Sequence, residues 1–103
     1  MNGKVIVFKM INGEEIMGEV FNTFNDLWEI KHPSQIILQR NEAGNMGVAI
    51  APYMPYADGN IRLYKQAVAA HCEPDKNLVN EYNRIFGAGI QIAPASVLAT
   101  LQS

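Results

Sequence analysis

The residues best suited to chemistry in this chain form one short segment, Tyr64-Lys65-Gln66. It lies between two apolar runs, Asn60–Leu63 and Ala67–Ala70, whose composition predicts two strands joined by a tight turn. A lysine ammonium can bind a phosphate, a glutamine amide can read a base edge, and a tyrosine ring can stack on a base. The segment therefore fits a contact with a phosphate or a base at a corner between strands, and Lys65 fits an ordinary solvated lysine at a turn equally well.

A second group of candidate residues, Phe24, Asn25 and Trp28, lies in and just after a polar turn. Phe24 and Asn25 fit either a position facing a pore or a turn-stabilising role. Trp28, the one tryptophan of the chain, fits a stacking platform, a contact worth about 1–3 kcal/mol per base. A tryptophan at the start of a strand is more often part of a core or an interface, and we favour that interpretation.

Other reactive side chains do not form a catalytic or metal-binding pattern. His71 and Cys72 are adjacent, so that in a strand they point to opposite faces and make a poor nucleophile–base pair. His32 has no partner at metal-ligand spacing. The single cysteine also excludes an intrachain disulfide. We expect neither an enzyme, nor a metal site, nor a cofactor.

Composition limits the partners that this chain can have. Its 103 residues predict one domain, and charged residues make up only 17% against 49% hydrophobic. This lean charge content favours surface that is buried against other copies of the chain. The formal net charge is −2, so any nucleic-acid site must be local. The apolar run Val5–Phe8 is too short for a signal segment, and with no membrane-length run we expect a cytoplasmic protein.

The elements that must position these residues are short strands with tight turns, which together predict a mainly β small barrel. Asn12-Gly13 is the strongest hairpin signal, and it predicts a type I′ turn. Gly18 predicts a sharp bend or a close backbone approach, and Pro33 predicts a bulge or an edge. The predicted strands are Val5–Ile11, Glu14–Phe21, Leu27–Gln39, Gly47–Tyr53, Asn60–Leu63 and Ala67–His71.

The chain is predicted to change character after the last strand. Residues 1–73 would form the barrel, residues 74–87 a C-terminal helix, and residues 88–103 a tail. Pro74-Asp75 opens the helix and Gly87 ends it. Apolar residues at helical spacing predict a face that packs on the barrel or on a neighbouring chain. These are Leu78, Tyr82, Ile85 and Phe86.

Two segments resemble the motifs of the Sm-like (LSm) family. Ile11 to Val20 is similar to the first Sm motif, and Leu63 to Val68 is similar to the second motif in its Hfq-like, RNA-chaperone form. The resemblance implies an SH3-type, strongly bent five-stranded barrel. It also implies a homo-oligomeric ring in which the fourth and fifth strands pair with neighbouring subunits, which covers every strand edge. Compact proteins of this kind occur in bacterial viruses, so a phage source and the host cytoplasm also fit.

For the candidate residues, the resemblance implies a single-stranded RNA site around the pore. Lys65 and Gln66 would face the pore, and Tyr64 would border the neighbouring chain. In one register of the turn, Phe24 takes the place of the family's usual Asp and Trp28 that of an Asn. With a short insertion, Asn25 takes the place of the Asp instead, and the family's stacking aromatic falls on a leucine.

The chain also departs from the family pattern. Strand-like sequence starts at Val5, where the family usually has a helix, and Gln66 replaces the Hfq-like histidine, so this position supplies no charge. Two hypotheses follow. The chain forms an oligomeric ring that binds single-stranded RNA, or it forms a ring scaffold or protein-interaction module with no RNA binding. The negative net charge, the missing N-terminal helix and Gln66 favour the second.

Overall fold

The computed structural model describes residues 1–86, which form six β-strands, a short 3-10 turn and one α-helix. The mainly β prediction is confirmed, and each strand lies within two residues of its predicted position. The elements are β1 Lys4–Met10, β2 Glu15–Thr23, β3 Leu27–Arg40, β4 Met46–Pro52, β5 Ile61–Tyr64, the turn Lys65–Ala67, β6 Val68–Cys72 and α1 Lys76–Phe86.

All strand pairs are antiparallel, in the order β4-β3-β2-β1-β6, with β5 paired to β3 outside this path. The long strand β3 pairs with two strands along one of its edges, the edge that does not face β2. Its first part, Leu27 to Ile30, pairs with β5, and its second part, Ser34 to Arg40, pairs with β4. Within the described residues, β4, β5 and β6 each pair with one strand only, so these three are the outer strands of the sheet.

A bulge separates the two parts of β3. Where the β2–β3 register shifts, Gly18 lies opposite two residues, His32 and Pro33. His32 has a φ of 51°, the one positive φ among the described non-glycine residues. A side chain at Gly18 would overlap the Ile30 side chain and would lie 3.0 Å from the Lys31 carbonyl oxygen. The close approach predicted at Gly18 and the bulge predicted at Pro33 are both confirmed.

The β1–β2 hairpin differs from the predicted type I′ turn. Gly13 takes a positive φ of 95°, whereas Asn12 does not. A type I′ turn needs a positive φ at both residues, so the predicted two-residue turn is wrong and the hairpin loop is longer. Gly13 N–H donates to the Met10 carbonyl over 2.9 Å, and the Asn12 side chain accepts from the Glu14 N–H over 3.0 Å. The Asn12 side chain thus accepts the hydrogen bond of a backbone N–H two residues on, as Asn side chains commonly do in turns.

The core is formed by the inward-facing side chains of β1, β2, β3 and β5. Each member is at most 8% exposed, and burial of a large apolar side chain stabilises the fold by about 1.5–3 kcal/mol. The cluster consists of Ile6, Phe8, Met10, Ile16, Val20, Trp28, Ile30, Ile61 and Leu63.

The chain divides after Glu73 into two compact units, of which the second begins at Pro74 and contains α1. Asp75 caps the helix, because its carboxylate accepts from the Leu78 N–H over 2.8 Å. The rings of Tyr82 and Phe86 lie 5.0 Å apart. The predicted stop at Gly87 and the predicted tail, residues 88–103, lie outside the described residues. Within residues 1–86, no helix combines the length and the apolar character that crossing a membrane requires.

Candidate nucleic-acid interface

Two segments that are remote in sequence meet at one end of the sheet. The Lys65 N–H donates to the Asp26 carbonyl over 2.9 Å, which joins the β2–β3 turn directly to the β5–β6 corner. The β3–β5 ladder continues the contact, with Leu27 opposite Tyr64. We call the resulting surface the corner site. It consists of Phe24, Asn25, Asp26, Tyr64, Lys65 and Gln66.

Local backbone structure explains why the corner turns here. Tyr64 is still extended, with φ −80° and ψ 132°, and the next three residues form the 3-10 turn. The turn closes when the Val68 N–H donates to the Lys65 carbonyl. On the other side, the Phe24 N–H donates to the Leu27 carbonyl over 2.9 Å and closes the β2–β3 turn. Both segments are thus held by their own backbone bonds as well as by each other.

Lys65 carries the positive charge of the corner site. Its side chain is half-buried, and its ammonium lies 5.1 Å from the centre of the Trp28 indole, within the range of a cation–π contact. Among the ion pairs between described residues, none involves Lys65. The charge is therefore held against an aromatic face without being neutralised by a carboxylate.

Trp28 is a core residue, as the favoured interpretation of the sequence predicted. It is 6% exposed, and its ring centre lies 5.1 Å from that of Phe8 and 5.7 Å from that of His71. The indole consequently has no open face on which a base could stack. The alternative prediction, a stacking platform at Trp28, is corrected by this burial.

The exposed aromatic rings of the corner site belong to Phe24 and Tyr64, which are 50% and 46% exposed. Asn25 and Gln66 are exposed as well and present amide donors and acceptors. Asp26, whose backbone carbonyl accepts from the Lys65 N–H, is also exposed and adds a carboxylate to the corner site. The site therefore combines stacking surfaces and hydrogen-bonding groups with one cation and one anion.

The remaining reactive side chains lie elsewhere. His71 and Cys72 are exposed neighbours on β6, and His71 contacts the Trp28 indole edge-on. They border a depression of about 360 Å³ beside the ion pair between Lys4 and Glu73. In the part of the chain that the structure describes, no group of three or more metal-ligating side chains comes together.

One polar cluster was not found by sequence reasoning. The Tyr53 hydroxyl donates to Glu14 Oε1 over 2.9 Å, and the Asn12 amide donates to the same oxygen over 3.1 Å. Burial, followed by the hydrogen bond to Glu14, raises the pKa of Tyr53 above its ordinary value. The cluster ties the segment after β4 to the β1–β2 turn, and no local pattern around Tyr53 signals this contact.

Two of the outer strands, β4 and β6, have edges with few charged side chains. Neither strand contains a Lys, Arg, Asp or Glu residue, whereas β5 contains Arg62. On the hairpin of β3 and β4, several large apolar side chains are exposed, and we call this hairpin the arm. They are Leu38 at 63%, Met46 at 55%, Val48 at 46% and Ile37 at 39%. Such edges and faces favour association, since isolated proteins usually protect strand edges with charges.

Neither a scan against protein-family models nor a search of curated proteins finds a match for this chain.

Proposed function

We propose that this chain is an Sm-like subunit of a homo-oligomeric ring that binds short single-stranded RNA at the corner site, without catalysis. The observation that carries the proposal is the backbone hydrogen bond between Lys65 and Asp26, 2.9 Å long. It brings the β2–β3 turn and the β5–β6 corner together, and these are the two segments to which the sequence assigned nucleic-acid contacts.

The sheet topology supports the Sm-like barrel. Because β4 and β5 pair with successive parts of β3, together they take the place of one strand interrupted at residues 53–60. Counted in this way, the order corresponds to a five-stranded antiparallel sheet. The bulge opposite Gly18 supplies the sharp bend that a small barrel requires.

The edges support assembly into a ring. Pairing of β4 in one copy with β6 in the next would cover the unpaired edges of these two strands, and a head-to-tail contact of this kind forms a ring when its rotation closes. The exposed small residues Ala69 and Ala70 on β6 allow another strand to approach closely. A ring would also repeat the corner site around one axis, so that several weak contacts act together.

The corner site fits single-stranded RNA by its chemistry. Lys65 would contact a phosphate, Asn25 and Gln66 would bind base edges, and Phe24 or Tyr64 would stack on a base. Because Gln66 adds no charge, the corner site of each subunit contains one cation, Lys65, and we expect weak binding. Affinity should fall as salt is added. The logarithm of the binding constant should decrease with the logarithm of the salt concentration, with a slope of about −0.7 for each phosphate contact to a single strand.

The test is fluorescence anisotropy with labelled U-rich and A-rich oligomers at low salt. Lys65→Ala should lower the affinity and reduce its salt dependence. Lys76→Ala is the matched control, because Lys76 is an exposed lysine in the other compact unit. Failure of the wild-type protein to bind at low salt, or equal binding by Lys65→Ala, would overturn the RNA proposal.

A second candidate function is a ring scaffold that binds protein. It is favoured by the exposed apolar arm, by the exposed carboxylate of Asp26 in the corner site, and by the net charge of −2. Light scattering that shows an oligomer, together with no RNA binding at low salt, would select this function. A monomer in light scattering would exclude both ring hypotheses.

A further inference from the structure

We propose that Trp28 is a positioning residue for Lys65, holding its ammonium in place for a phosphate; this inference rests on the RNA function proposed above. The observation that supports this role is the distance of 5.1 Å between the Lys65 ammonium and the centre of the Trp28 indole. Trp28 itself does not touch the RNA, because it is 6% exposed.

Lys65 is held at both ends. Its backbone N–H is bonded to the Asp26 carbonyl, and its ammonium lies against the indole. The indole is in turn fixed by core packing against Phe8, at 5.1 Å between ring centres. A flexible lysine normally loses rotamer freedom when it binds a ligand. Here part of that freedom is already lost in the free protein, which is preorganisation.

The indole positions the charge without cancelling it. Two other lysines of the same unit are held by carboxylates, Lys4 by Glu73 at 3.3 Å and Lys9 by Glu15 at 3.2 Å. A phosphate approaching either of these lysines has to compete with a neighbouring anion. None of the ion pairs between described residues involves Lys65, and its ammonium can still donate on the side away from the indole.

The decisive experiment is a double-mutant cycle read by oligomer binding. Trp28→Phe keeps an apolar ring in the core but weakens the cation–π contact. It should lower the affinity of a labelled U-rich oligomer about two- to fivefold. Lys65→Met removes the charge and keeps the length of the side chain. In the Lys65→Met background, Trp28→Phe should have no further effect on binding, because there is no cation left to position.

The outcomes separate this inference from the RNA proposal. If Lys65→Met binds as well as wild type, the RNA site itself is wrong. If Lys65→Met loses affinity but folded Trp28→Phe binds normally, the positioning role is overturned while the site stands. The same holds if Trp28→Phe weakens binding equally in both backgrounds, since that result indicates a general structural effect.

A spectroscopic measurement on the wild-type protein gives an independent test. The side-chain methylene protons of Lys65 next to its ammonium should resonate upfield, shifted by the ring current of Trp28. The shift should change when the U-rich oligomer is added. Ordinary lysine chemical shifts in the free protein would overturn the inference, even if Trp28→Phe failed to fold.

Discussion

The hydroxyl of Tyr53 donates a 2.9 Å hydrogen bond to the carboxylate of Glu14, and so joins the end of β4 to the first hairpin. Burial and this carboxylate raise the pKa of Tyr53, so the folded protein retains the phenol proton to higher pH than the unfolded chain does. The contribution to stability is complete below a pH of about 10 and decreases as pH rises through the folded-state pKa.

The corresponding prediction concerns stability in alkali. The free energy of unfolding of the wild-type protein, measured with urea at increasing pH, should fall above about pH 10 more steeply than that of Tyr53→Phe. Equal slopes for Tyr53→Phe and wild type would contradict the assignment.

Gly18 is predicted to be irreplaceable at the bulge. Gly18→Ala would push a methyl group into the Ile30 side chain and against the Lys31 carbonyl, and should cost about 1–3 kcal/mol. Gly47→Ala is the matched control, because the equivalent space at Gly47 in β4 is open. Thermal unfolding should show a clearly lower Tm for Gly18→Ala only. Similar Tm values for the two variants would mean that the close approach does not limit this position.

Substitutions of Trp28 and Phe24 by alanine should differ in their effect on the free energy of unfolding. Trp28→Ala leaves a core cavity and should cost about 3–5 kcal/mol of unfolding free energy. Phe24→Ala removes a half-exposed ring, so its stability should change by less than about 0.5 kcal/mol. Oligomer affinity should nevertheless fall in Phe24→Ala if this ring stacks on a base. Urea unfolding and anisotropy, measured on the same samples, check both parts.

A charge on the outer edge of β4 should prevent assembly. Val48→Glu places a carboxylate beside the unpaired backbone of this strand, where burial against another copy would require its desolvation. Light scattering should show a smaller particle than for wild type, with unchanged circular dichroism. Tyr56→Glu, in the loop after β4, is the control for an added surface charge. An unchanged particle size for Val48→Glu would exclude this edge from the subunit contact.

The sequence determined the elements and their local chemistry. Alternating apolar residues placed the six strands, Gly13 marked the first hairpin, and Gly18 with Pro33 marked the bulge. Each of these signals is local, because side-chain alternation and backbone steric limits act on neighbouring residues. For the same reason the sequence identified Lys65 at a corner and Phe24 in a turn.

Only the tertiary structure decided how these elements combine. It placed the β2–β3 turn next to Lys65, buried Trp28 beneath that lysine, and joined Tyr53 to Glu14. It also showed that one strand, β3, is shared by β4 and β5. Such pairings depend on strand register and on the bend at the bulge, which connect residues far apart in the chain. No short segment specifies them, because the free energy that selects them comes from burial of the whole core.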